Sequence, residues 1–105
     1  MLPALRTLAA GVMLLATQVS DGQAADPQHG GELARRWCAA CHVVASSQQS
    51  GADMVPSFQS IARRPGFNAR ALAFFLLDPH PKMPDMALSR READDLAAYI
   101  ASLGR

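Results

Sequence analysis

The chain has 105 residues, a formal net charge of +1, and 6% aromatic residues against 50% hydrophobic ones. That leaves room for one domain and lacks the basic excess with which a nucleic-acid-binding surface attracts phosphates. Ala and Leu carry the apolar content and no internal repeat is present, which favours a small all-α fold and excludes solenoids and propellers.

Met1 to Ala24 reads as an export signal. Arg6 and the free amine give a positive start, Leu8 to Ala16 is an apolar run, and Gly22-Gln23-Ala24 offers small residues for cleavage. The expected division is a signal peptide at 1–24 and one domain at 25–105, exported to the periplasm. The apolar run is short of the roughly 20 residues a spanning helix needs, so no membrane anchor is expected. Left uncleaved, Leu2 to Val19 would be a marginal one.

Asp26-Pro27 is a helix start: a side-chain acceptor at the N-cap, then a proline whose missing N–H costs nothing in the first turn. The helix is expected to run into Cys38. Gly30, Leu33, Ala34 and Trp37 recur at helical spacing on one face, with Glu32, Arg35 and Arg36 toward water. Gly30 and Gly31 would each cost about 1 kcal/mol in a helix interior. Their presence therefore points to another helix approaching closely there.

The helix leads into Trp37-Cys38-Ala39-Ala40-Cys41-His42. A C-x-x-C-H run is the signature of covalent haem attachment. Each thiol can add across one vinyl group, and the following histidine is placed beneath the iron, where its imidazole can ligate it. Three other readings remain open at this point. A thioredoxin-like pair also has Trp before its first cysteine, but needs a buried strand ahead of it, and Gly30 to Arg36 carries no Val, Ile or Thr run. A structural zinc site needs about four ligands, and beyond the motif only His29 and His80 add to the set. A disulfide closing so short a loop stabilises little and gives His42 no role.

Val43 to Val55 is polar and small, centred on Ser46-Ser47-Gln48-Gln49-Ser50-Gly51, and reads as a surface loop. Phe58 to Ala62 should make one or two helical turns, stopped by Arg63-Arg64-Pro65-Gly66. Asn68 caps a helix expected over 69–78, with Leu72, Phe75 and Leu76 on one stripe flanked by Phe74 and Leu77. Pro79, Pro81 and Pro84 make the next stretch an extended, stiff loop holding His80, Lys82 and Met83. The last helix starts at a capping box, Ser89 to Glu92, carries Leu96, Tyr99, Ile100 and Leu103 on a narrow stripe, and ends at Gly104. Its stripe suits a crossing with the first helix. His29 is expected to be solvated, and Met54 and Met86 to be packing residues. Arg63, Arg64, Lys82, Arg90 and Arg91, with Asp78, Asp85, Asp94 and Asp95 interspersed, read as ordinary solvated charge, the alternative being a basic ring around an exposed haem edge that attracts an acidic partner.

Taken in order, the helix into Cys38-Ala39-Ala40-Cys41-His42, Pro56 after a loop, Met83-Pro84, and a final helix with Leu96-Ala97-Ala98-Tyr99-Ile100 resemble the single-haem class I cytochromes c of bacteria. The resemblance covers nearly all of 25–105. It implies three to four helices around one covalently attached haem c, with the N- and C-terminal helices crossing. By the same resemblance His42 and Met83 are the proximal and distal iron ligands, Cys38 and Cys41 the attachment points, and the Pro56 carbonyl the acceptor for the His42 ring N–H. The function it implies is that of a monomeric periplasmic carrier, not an enzyme, passing one electron between redox partner proteins. The alternatives are a haem subunit of a periplasmic oxidoreductase complex, or an open-site haem enzyme should Met83 not ligate.

Overall fold

The computed structural model describes residues 3–4, 11, 24–78 and 83–105. Most of the signal segment, and Pro79 to Lys82 with His80, lie outside the described residues. Four helices make up the fold: α1 (Pro27–Trp37), α2 (Phe58–Ala62), α3 (Ala69–Leu77) and α4 (Arg90–Ser102). No strand occurs among the described residues. The architecture is the all-α one expected.

Each helix begins where a short polar side chain satisfies free backbone donors. Asp26 accepts from the amides of Gln28 and His29, Ser57 from Ser60, and Asn68 from Ala71. At α4 the capping box is complete: Ser89 Oγ accepts from Glu92 N at 3.1 Å, and Glu92 Oε1 accepts from Ser89 N at 2.9 Å. Asp78 caps α3 with extended backbone, so that helix ends one residue before the expected limit.

The α1–α4 crossing organises the core. Gly30 makes it possible: a Cβ there would lie 2.0 Å from the Asp95 carbonyl oxygen and 2.9 Å from Tyr99 Cβ. Around that contact Leu33, Ala34, Leu96 and Ile100 are buried, and Val44 and Phe58 close the cluster. The larger apolar side chains among these, Leu33, Val44, Phe58, Leu96 and Ile100, each contribute about 1.5–3 kcal/mol by leaving water. Ala73, Ala93 and Ala97 form a second, small-residue cluster where α3 meets α4.

Five expectations change. Met54, expected to pack, is fully exposed in the loop before Pro56. Trp37, placed by periodicity on the buried face, is 48% exposed at the last position of α1. Asp95 is buried rather than solvated. Its Oδ1 accepts from Asp26 N at 2.7 Å, and its Oδ2 lies 2.8 Å from His29 Nδ1. His29 is therefore tied to α4, not simply solvated. On α3 it is Ala73 that is buried, while Phe74 and Phe75 remain exposed.

Candidate haem-attachment site

The C-x-x-C-H segment continues the last turn of α1. Cys38 N and Ala39 N both donate to Ala34 O, and then Cys41 N and His42 N both donate to Cys38 O, at 3.1 and 2.9 Å. This second turn brings His42 back beside Cys38. Cys38 is buried, Cys41 is exposed, and no disulfide joins them.

The environment disfavours thiol–disulfide exchange. Burial pushes the Cys38 thiol up to about 11, so it stays protonated at neutral pH, whereas exchange needs an accessible thiolate. The pair also sits at the C-terminal end of its helix, opposite to the end whose dipole stabilises a thiolate. As to zinc, no three His, Cys, Asp or Glu side chains converge as a metal set among the described residues.

His42 is the best-defined side chain of the site. Its Nδ1 lies 2.6 Å from the Pro56 carbonyl oxygen. A carbonyl only accepts, so Nδ1 carries the proton and the Nε2 lone pair is left to ligate. The ring also meets Phe58, centroids 5.1 Å apart and planes tilted by 46°. Phe58 is held in turn by its amide, which donates to Val43 O at 3.0 Å.

Cys38, Cys41, His42 and Pro56 are thus brought together by one turn and one returning loop. Met83 and Met86 are both half-buried on the segment before α4, and Met83 takes part in none of these hydrogen bonds. The donor set fits a haem: two cysteine sulfurs on one turn and an imidazole whose Nδ1–H is held by Pro56, leaving Nε2 as the ring nitrogen free to ligate. Leu72, Leu76, Phe67 and Leu88 pack on the core yet stay partly uncovered, which leaves apolar surface for a large flat group to cover.

What holds this turn from behind was not legible from composition or spacing. Val44 is buried, the Tyr99 hydroxyl donates to Val44 O at 2.5 Å, and Gln48 bonds into the motif. Tyr99 was legible only in part: a tyrosine on a buried stripe needs a partner for its hydroxyl.

The family described as cytochrome c oxidase, cbb3-type, subunit III matches residues 25–100. The chain belongs to the bacterial cytochromes c. Cytochrome c-552 of Bradyrhizobium diazoefficiens is 60% identical over 92 residues, covering 88% of each chain. No solved structure matches. Like other cytochromes c, the chain carries covalently bound haem c and works in electron transfer. The group supplies one-electron iron chemistry when bound.

Proposed function

We propose that the protein is a periplasmic carrier passing single electrons between redox partner proteins, with residues 1–24 as its export signal and 25–105 as the working domain. In this reading Cys38 and Cys41 hold the haem, His42 and Met83 fill the two axial positions, and the carrier acts as a monomer without enzymatic turnover. The His42–Pro56 hydrogen bond supports it most directly, since it fixes tautomer and ring orientation as an axial ligand requires. With His42 and Met83 both ligating, the haem would supply one-electron chemistry without admitting a substrate.

Met83 is preferred to Met86 because Pro84 and the prolines before it restrict its backbone. Thioether sulfur is a weak ligand to ferric iron, and a free loop would add about 1–2 kcal/mol of ordering cost per residue. Met83→Ala is expected to abolish the near-infrared sulfur-to-ferric-iron band, admit carbon monoxide and lower the potential. Met86→Ala should leave all three nearly unchanged. The opposite pattern would reassign the ligand, and ready carbon monoxide binding by the unsubstituted protein would turn the carrier into an open-site haem protein.

A second reading, a haem subunit of an oxidoreductase complex, is favoured by the oxidase-subunit description of the matching family. The native mass of the protein from its host membrane and soluble fractions separates the two: a carrier elutes alone.

A further inference from the structure

The loop after the motif returns to grip it from its carbonyl side. Ala52 N donates to Cys41 O at 2.8 Å, and Gly51 lies so close that a Cβ there would come 2.5 Å from Cys41 O. Gln48 sits at the centre of this grip. Its Nε2 donates to Ala39 O at 3.0 Å, His42 O at 2.8 Å and Ser50 O at 3.0 Å, while its Oε1 accepts from Val44 N at 3.0 Å. The orientation of the amide is fixed by its partners, because a reversed amide would set its oxygen against three carbonyls. With two hydrogens for three acceptors, one N–H is shared.

This one side chain spans the motif from the residue after the first cysteine to the histidine. The His42 amide already donates to Cys38 O. Holding the His42 carbonyl as well fixes both peptide planes that flank its Cα, so only the two side-chain torsions remain. The Pro56 carbonyl and the Phe58 ring set those. Without the Gln48 amide, the His42 carbonyl keeps its turn only through neighbours, and the Nδ1–H bond to Pro56 inherits that freedom.

We propose that Gln48 is a positioning residue for His42, holding the imidazole in its ligating orientation through the backbone on either side of it. The proposal rests on the reading of His42 as an axial ligand. Gln48 itself acts only on the backbone and belongs to no ligand set.

The test is nuclear magnetic resonance on the haem-loaded full chain. In the unsubstituted protein the Gln48 side-chain amide protons should exchange slowly and show hydrogen-bond couplings to the Ala39 and His42 carbonyl carbons; rapid exchange with no couplings overturns the proposal. Gln48→Glu keeps side-chain length but sets a carboxylate oxygen against the same three carbonyls, so its side chain leaves the grip and every donor is lost. It should accelerate exchange of the His42 Nδ1 proton about tenfold, the scale of one lost hydrogen bond, move the hyperfine-shifted His42 ring resonances and release the Val44 amide. Gln48→Ala should do the same. If the His42 proton in these variants speeds up only in step with the Leu96 and Ile100 amides of the core, Gln48 merely stabilises the fold and the positioning role is lost. Should neither variant mature, the couplings in the unsubstituted protein decide. A His42 ring with no hyperfine shift overturns the ligand reading itself, and is distinguishable because the Gln48 couplings are measured independently of it.

Discussion

Asp94 and Asp95 are chemically identical neighbours, yet one is exposed and the other buried at the α1–α4 crossing. Helical phase separates them: Asp95 stands four residues before Tyr99 and three after Glu92, on the edge of the packed stripe. Reading both by charge alone put both in water. Asp95 accepts from Asp26 N and pairs with His29. The hydrogen bond to Asp95 holds the His29 pKa above its ordinary value against the opposing effect of desolvation, with lesser contributions from the charges of Asp95, Glu32 and Asp26. Glu92, also on α4, faces the same group. A histidine whose pKa is raised by folding contributes stability that is fully present below its unfolded pKa of about 6.5 and is lost as pH rises through the folded value. The urea midpoint should therefore fall between the mildly acidic range and pH 8, and His29→Gln should flatten that slope. Asp95→Ala should cost about 1–3 kcal/mol even at high pH, because the Asp26 amide loses its partner too. A midpoint that does not move with pH in the unsubstituted protein would remove the His29–Asp95 pair from the list of stabilising contacts.

At the scale of the helices, caps and crossings were legible because they rest on local chemistry. Asp26-Pro27, Asn68 and the Ser89–Glu92 box each advertise a free backbone donor being met, and the glycine in α1 advertises a close neighbour. Gly30→Ala is expected to destabilise the holo-protein by about 3 kcal/mol, the upper end for overpacking, since the added carbon would meet the Asp95 backbone rather than a flexible side chain. Gln28→Ala, exposed on the same turn, should stay within about 0.5 kcal/mol. Thermal unfolding of both variants checks the pair of values. The face of α3 was not legible in the same way. Its continuous run from Leu72 to Leu77 has no polar side to set the phase, so packing decides, and the small α4 surface of Ala93 and Ala97 takes Ala73 and leaves Phe74 and Phe75 outside. The loop over 43–55 misled for the opposite reason. Its composition is that of a solvated linker, and nothing in a run of Ser and Gln marks which amide will close onto the motif.

For the molecule as a whole, the question is what holds so small a core together. The large apolar side chains buried among the described residues are Leu33, Val44, Phe58, Leu96 and Ile100; the rest of the buried set is mostly alanine. Gains of about 1.5–3 kcal/mol for each such side chain must offset about 1–2 kcal/mol of backbone entropy for every residue ordered, and a domain of this size buries too little surface to do so comfortably. Leu72, Leu76, Phe67 and Leu88 are only partly covered by protein. The covalent haem of a cytochrome c would supply the missing apolar surface, acting as the staple that small domains otherwise find in disulfides or metals. The chain made without haem-attachment machinery should therefore keep some helical circular dichroism but lose fixed packing, with the Leu96 and Ile100 amides exchanging freely and a hydrophobic dye binding, as in other loosely packed states. The capped α1 and α4 should retain the most helix, since their ends are satisfied locally. A haem-free chain that unfolds cooperatively, with those two amides protected, would show that the α1–α4 crossing suffices by itself and that the cofactor adds function to a fold already complete.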